Sequence, residues 1–209
     1  MKNIRQLLNS FTEEDYRYNR VNLHIHTSHS DGEGNEAQIL DSAKTNRYKL
    51  ISITDHNTCE AHQKTQDEIL LTGVEFDCWY NCVYIHVLAY GIDINNPNLT
   101  KFFAKNKKET EAVLPRLFSK RNLKELIECI HDAGGVAILA HPACYWALNL
   151  ENFILSLAKI GLDGIEVYYP YPRLRKVVKF HSAKDVEKIA EKYPQFIKTG
   201  GTDFHGKIF

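Results

Sequence analysis

The sequence predicts an α/β fold, a mostly parallel sheet covered by helices and either open or closed into a barrel. Two observations carry this. Seven short β-like runs alternate with helix-like segments along the chain, and repeated βα alternation with apolar strands argues for parallel strands under covering helices. The 209 residues are also enough for one sizeable core, and α/β barrels of this length fold as one unit.

The elements follow in order. Ile4, Leu7, Leu8 and Phe11 recur at helical spacing among charged residues, which predicts an amphipathic N-terminal helix within 1–20 and lacks the apolar stretch of a signal peptide. Strand-like runs follow as VNLHIHT (21–27), YKLISIT (48–54), ILLTGVEF (69–76), VYIHVLAYGI (83–92), VAILAH (136–141), GIEVYY (164–169) and FIKTGG (196–201). Helix-like segments lie near 36–47, 59–68, 101–112, 123–133, 151–160 and 183–193. The third and fourth runs are joined by a short turn-like piece. Between the fourth and fifth, INNPN opens a short basic insertion at about 97–122. The expected organisation is the helix of 1–20 followed by one domain over 21–209.

Composition narrows the function classes. With 44% apolar and 25% charged residues and no apolar run near 18 residues, the chain reads as water-soluble, without a membrane partner. Five cysteines at 59, 78, 82, 129 and 144 are odd in number and irregularly spaced, so reduced thiols and a cytoplasmic location are expected. Cys78 and Cys82 could make half of a zinc site, but no second pair follows. Net charge is zero, yet 101–125 holds eight Lys or Arg against three acids, and 170–184 holds five against none. Solvated helix faces explain such runs; collecting a phosphorylated substrate is the sharper reading.

The chemistry gathers at strand ends. Strand side chains alternate faces, so Leu23 and Ile25 point one way while His24 and His26 point the other, set to share a metal ion. An isolated His-x-His also fits a hydrogen-bonded core pair. The pattern repeats, however: Asp55 and His56 end the second strand, Glu75 interrupts an apolar third strand, His86 lies in the fourth, His141 ends the fifth, and Asp203 and His205 follow the seventh. A buried ionisable group is costly unless paired or metal-bound. Catalytic residues collect at this end of parallel α/β folds because the loops converge there. Gly32, Gly34, Gly73, Gly134, Gly135, Gly200 and Gly201 fall beside these ligands or at strand starts, where backbone must turn sharply or approach closely.

The series HIHTSHSDG, TDH, GVE, IHVLAYGID, AHP, GIEVYY and GGTDFHG, in this order from about 21 to 206, resembles the PHP family, the metal-dependent phosphoesterases of DNA polymerases and histidinol phosphatases. It is most similar to the small stand-alone branch, some members of which act on nucleoside bisphosphates or short oligonucleotides. The resemblance implies an irregular (β/α)7 barrel and two to three divalent ions (Zn, Mn or Fe). By motif, His24, His26, Glu75 and Asp203 would hold the first ion, and Glu75 would bridge to a second held by His86 and His141. Asp31, His56 and His205 would hold the third. Glu75, Asp203 and His205 would thereby carry the catalytic ions. The ligands are nitrogen and oxygen only, so softness does not choose among the metals.

The implied activity is hydrolysis of a phosphate ester of a small metabolite, nucleotide or short oligonucleotide by metal-activated water, with no stable duplex nucleic-acid partner. Arg116, Arg121, Arg173 and Arg175 are the candidate phosphate contacts, since guanidinium forks match phosphate. His29 reads as a solvated loop residue or a substrate contact. Asp55 and Glu166 read as supporting groups, and His181 as exposed. The insertion is short beside the helical caps of nucleotide-cleaving relatives. Competing readings are a histidinol phosphatase, a non-catalytic metal-stabilised module, and an amidohydrolase-type barrel, which would use a bridging lysine and a lone late aspartate.

Overall fold

The computed structural model describes residues 3–118, 120–171 and 181–209. All seven strands form: β1 (Val21–Ile25), β2 (Leu50–Ile53), β3 (Leu70–Tyr80), β4 (Val83–Tyr90), β5 (Val136–Leu139), β6 (Gly164–Tyr168) and β7 (Ile197–Gly200). They make one sheet in sequence order. Pairing is parallel except that β4 runs antiparallel to both β3 and β5. The reason is local: only Asn81 and Cys82 separate β3 from β4, both at positive φ (47° and 62°), and a two-residue loop of that kind makes a tight hairpin. Cys82 is exposed in this turn while Cys78 is buried in the core, so the half zinc site is not assembled.

The two ends of the sheet are tied by the segment after β7. Phe204 accepts from the His26 N–H at 2.8 Å and donates to the His24 carbonyl at 3.3 Å, while the Asn22 and Thr202 side chains and backbone exchange two more bonds. Gly201 permits this approach, because a Cβ there would lie 2.3 Å from the His24 Cβ.

The longer helices cover one face of the sheet, the register placing Ile51 and Ile53 of β2 on the same side as Val74 and Phe76 of β3. Leu126, Ile127 and Ile130 of α8 (Leu123–Asp132), Phe153, Ile154 and Leu157 of α9 (Leu150–Ala158), and Val186 and Ile189 of α10 (Ala183–Lys192) pack with Val74, Phe76, Ile85 and Val87 in the largest core cluster. Ile39 and Ala43 of α3 (Glu36–Thr45) and Ala61 of α4 (Glu60–Lys64) cover Ile25, Ile51 and Ile53. Asparagine caps start α3, α8 and α9, each side chain accepting from the backbone N–H three residues on.

Two expected helices are broken. The N-terminal region forms α1 (Ile4–Leu8) and α2 (Glu13–Arg17) in place of one helix, because Thr12 and Asp15 make a capping box that starts a new one. Leu8 and Tyr16 from this pair are buried against Val21, Leu23, Leu88 and Tyr90. In the insertion, the helix expected near 101–112 is replaced by α5 (Pro97–Thr100), α6 (Lys108–Glu111) and α7 (Val113–Leu117). The separation of α6 from α7 has a local cause: Pro115 cannot sit inside a continuous helix, having no N–H and clashing with the carbonyl of Glu111 four residues back. The chain therefore extends at Ala112 (ψ 127°) and restarts, placing Pro115 in the first turn of α7.

Simple alternation also fails in β1. Leu23 packs in the cluster of Leu88 and Tyr90, whereas Ile25 packs under α3, so the two leave opposite faces. The β1–β2 register shifts between Asn22 and Ile25, a bulge that re-aims side chains where a site needs them.

Candidate metal centre

The bulge lets Leu23 join the apolar interior while His24 and His26 still project together toward the carboxylates of the mouth. His24 Nε2 lies 3.3 Å and His26 Nε2 3.2 Å from Glu75 Oε2, and 3.4 and 3.1 Å from Asp203 Oδ1. The other Glu75 oxygen faces a second pair: Oε1 is 3.0 Å from His86 Nδ1 and 3.4 Å from His141 Nε2. Asp31 gathers a third set, with Oδ1 3.2 Å from His205 Nε2 and 3.6 Å from His26 Nδ1, and Oδ2 3.7 Å from His56 Nε2. In each set one donor atom per residue lies within 4.8 Å of all the others. All nine residues expected as ligands therefore lie in one place, with His26 adjoining the third set as well and His56 and His86 also brought together with Asp77.

The donor atoms fit cations. Among the described residues, His24 Nε2, His26 Nε2, Glu75 Oε2 and Asp31 Oδ1 are buried without a hydrogen-bond partner, a cost that is offset when something binds them. His24 Nε2 and His26 Nε2 stand 3.1–3.4 Å from Glu75 Oε2 and Asp203 Oδ1, and Asp31 Oδ1 stands 3.2 Å from His205 Nε2, without the alignment of a hydrogen bond. Two ligands bonded at about 2.1 Å to one ion are about 3.0–3.4 Å apart.

Charge is concentrated accordingly. Burial disfavours the charged form of His24 and His26, but the neighbouring carboxylates prevail, holding His24 well above the ordinary histidine value and raising His26 to about 10. His141 rises to about 9 against its burial, through Cys144 and Glu75. Burial opposes ionisation of Glu75 and Asp203 too, yet the imidazoles hold both carboxyls well below the carboxylate range. At His56 burial wins and the value falls.

A surrounding layer fixes these side chains. Glu166 Oε1 lies 3.0 Å from His24 Nδ1, and its Oε2 accepts from the His141 backbone N–H at 2.8 Å. Asp55 accepts from the Thr27 N–H, the Thr27 hydroxyl and the Ser30 hydroxyl, each at 2.6 Å, pinning the loop that carries Asp31. The Tyr169 hydroxyl donates to Asp203 Oδ2 at 3.0 Å. His141 and Asp203 sit at positive φ (27° and 52°), a strain that costs of order 1–3 kcal/mol and gathers at functional sites. His29 is neither solvated nor free: its ring lies 2.9 Å from Glu36 and 3.2 Å from Glu60. His181 is partly buried, with Nε2 against the Ala147 carbonyl.

The four candidate phosphate arginines fare differently. Arg116 reaches the cluster but donates to Asp31 Oδ2 at 2.9 Å, with Nε 3.7 Å from Asp77 Oδ2. Arg121 is drawn to the Phe102 and Asp77 carbonyl oxygens at 2.9 and 3.2 Å. Arg173 and Arg175 lie outside the described residues. One acidic member of the centre was absent from the sequence-based set. Asp77, fully buried, has Oδ1 3.4 Å from His56 Nδ1, 3.3 Å from His86 Nε2 and 2.7 Å from the Tyr84 hydroxyl. The signal was available: Asp77 shares the face of Glu75 two residues along β3, and the hairpin places it opposite His86.

No family model matches the chain. It is 32% identical to the 5′-3′ exoribonuclease Rnm of Escherichia coli strain K12, over 69% of this chain and 73% of that protein. The chain belongs to the PHP family of metal-dependent phosphoesterases. The match to Rnm of Salmonella typhimurium, at 30% identity, spans 48% of that protein's length. The 3′,5′-nucleoside bisphosphate phosphatase of Chromobacterium violaceum is 22% identical over 88% of this chain and 87% of its own. Among solved structures, an amidohydrolase from Chromobacterium violaceum with bound sulfate and no metal superposes with a TM-score of 0.70 at 20% identity, covering 90% of this chain and 88% of that one. A two-domain protein containing a predicted PHP-like metal-dependent phosphoesterase, from Bacteroides vulgatus, gives 0.57 at 15% identity over 89% of this chain and 52% of that one. These two likenesses establish the shared fold. In this PHP chain Glu75 stands between two histidine pairs and Asp203 lies 3.7 Å from His205.

Proposed function

We propose that this PHP chain hydrolyses a phosphate ester of a nucleotide, such as a nucleoside 3′,5′-bisphosphate, or of a short oligonucleotide. The observation that carries the reading is Glu75, whose two oxygens face two different histidine sets. Neighbouring positions for divalent cations (Zn, Mn or Fe) are what such a bridge is suited to hold. The ligands would be His24, His26, Glu75 and Asp203 at the first position, Glu75, His86 and His141 at the second, and Asp31, His56 and His205 at the third. Cations bound there would acidify water to supply hydroxide near neutral pH and draw charge from the phosphoryl oxygens.

The chain's own residues set the stage for that chemistry. Glu75 and Asp203, kept ionised by the imidazoles around them, present oxygens inward. Tyr169 orients Asp203, and Glu166 holds His24 so that Nε2 faces the cluster. His205, with a side chain 40% exposed, stands where the cluster meets solvent and substrate enters. Glu75, Asp203 and His205 are accordingly the residues on which turnover depends. The ties between β1 and the segment after β7 support an irregular seven-stranded barrel closing around this centre. The free thiols at all five cysteines favour the cytoplasm, and no helix among the described residues is long and apolar enough to cross a membrane.

Phosphate release from nucleoside 3′,5′-bisphosphates, short RNA and histidinol phosphate, measured with added Mn2+ and with chelator, tests the proposal. Chelator-sensitive release from a bisphosphate or RNA is expected. Release confined to histidinol phosphate would favour the other phosphatase type, and inactivity of metal-loaded protein on the whole panel would leave the non-catalytic module.

A further inference from the structure

The three cation positions are unequal in charge. The first is faced by two carboxylates, Glu75 and Asp203, and the second shares Glu75. At the third, the donors are Asp31 and neutral-capable imidazoles, so Asp31 supplies its only anion. That anion is already engaged. Arg116, on α7 of the insertion, has a side chain only 7% exposed and donates through Nη1 to Asp31 Oδ2 at 2.9 Å. The same Nη1 reaches the Thr110 carbonyl at 3.5 Å, and Nε lies 3.7 Å from Asp77. The buried guanidinium thus stands within ion-pair distance of two carboxylates, Asp31 and Asp77.

We infer that Arg116 is a built-in cation competing for Asp31, which makes the third position a conditional one, filled last and released first. This rests on reading the cluster as a metal centre. The reasoning is electrostatic: Arg116 offsets the formal charge of Asp31, the one carboxylate among this position's donors, and also faces Asp77, the carboxylate 3.4 Å from His56. A dication arriving among His56, His205 and Asp31 therefore meets less net negative charge than one at the first position, and a fixed positive group beside it in a buried site, where charge interactions are screened little. Arginine stays protonated at any working pH, so the competition is not relieved by titration. Asp31 Oδ1, the oxygen turned away from Arg116, remains free to ligate, so the position is weakened without being abolished. A phosphoryl group bound across the centre would add the missing negative charge, which couples occupancy of the third position to substrate.

The test is a Mn2+ titration of chelated, dialysed protein, following free Mn2+ by electron paramagnetic resonance, for wild type, Arg116→Met and Arg116→Lys. Wild type should show two tighter ions and one weaker by about tenfold or more, for one unopposed charge in a buried site. Arg116→Met should tighten the weak ion by about tenfold while leaving the others within about threefold, and Arg116→Lys, which keeps the charge, should stay near wild type. Three equal affinities in wild type, or a third ion unchanged or lost in Arg116→Met, would overturn the inference. Crystals of wild type soaked in limiting Mn2+ give the same ranking without any variant: strong anomalous peaks at the first two positions and a weak one beside Asp31 support it, and a full peak beside Asp31 contradicts it. Failure to bind any Mn2+ would instead remove the metal centre itself, and the inference with it.

Discussion

Replacing Glu166 with glutamine should weaken metal binding although Glu166 is not itself a ligand. The carboxylate is fully buried and serves two partners, one oxygen 3.0 Å from His24 Nδ1 and the other accepting the His141 backbone N–H at 2.8 Å. Glutamine is almost the same size but has only one accepting oxygen. If that oxygen keeps the His141 N–H, the new NH2 faces His24 Nδ1. Nδ1 must then accept, and the ring proton moves to Nε2, the atom aimed at Glu75 and Asp203. The opposite orientation sets an amide donor against the His141 N–H and leaves a buried donor unsatisfied, at about 1–3 kcal/mol. Both orientations damage a ligand. Outer partners of ligating histidines are worth about 10–100-fold in metal affinity, or about 1.4–2.7 kcal/mol. Competition titration of Zn2+ into chelated wild type and Glu166→Gln measures this directly, with circular dichroism to establish that the variant is folded. An affinity within about twofold of wild type in a folded variant would refute the tautomer argument.

Three further outcomes are expected. In chelated protein His26 and His141 titrate at about 10 and about 9, above the ordinary 6.5. Their stabilisation of the metal-free fold is therefore complete below 6.5 and lost as pH rises through 9 to 10. The melting temperature of chelated protein should fall across that window more than that of metal-loaded protein, whose imidazoles bind as neutral ligands; parallel curves would count against the charged cluster. Gly201→Ala should cost about 1–3 kcal/mol by overpacking and lower metal content together, since its methyl would meet the His24 Cβ at 2.3 Å; unchanged metal content by elemental analysis would show that this approach does not position His24. Leu126→Ala, at a fully buried site in the α8 core, should cost about 2–5 kcal/mol in denaturant unfolding with metal stoichiometry intact, and coupled metal loss would mean that core and centre are not separable.

The nine candidate ligands were legible in the sequence because most interrupt or end an apolar strand, where a charged group has few other reasons to be, and Asp31, Asp203 and His205 lie in the loops just beyond β1 and β7. His86 was the least obvious by position, lying near the start of β4; the hairpin reverses that strand, so its start is at the mouth where the others end. What escaped reading depends on three-dimensional register. Asp77 looks like the polar end of β3 until the hairpin is known to extend to Tyr80 and to set it opposite His86. The β1 bulge leaves no mark in VNLHIHT, and alternation alone puts Leu23 with Ile25 when the two in fact leave opposite faces. The broken helices were partly legible in hindsight, through the capping pair Thr12 and Asp15 and through Pro115. The ion pairing of Arg116 with Asp31 spans 85 residues, and nothing local in either segment signals it.

The central claim is that these imidazoles and carboxylates hold a cluster of divalent cations. Anomalous diffraction from crystals of the protein grown with Zn2+ or Mn2+ tests it most directly. Two or three peaks are expected, the nearest pair bridged by Glu75 and every peak bounded by the named ligands. A centre without a peak, or one in which the His24, His26 and Asp203 side chains turn away from a lone ion, would contradict the account.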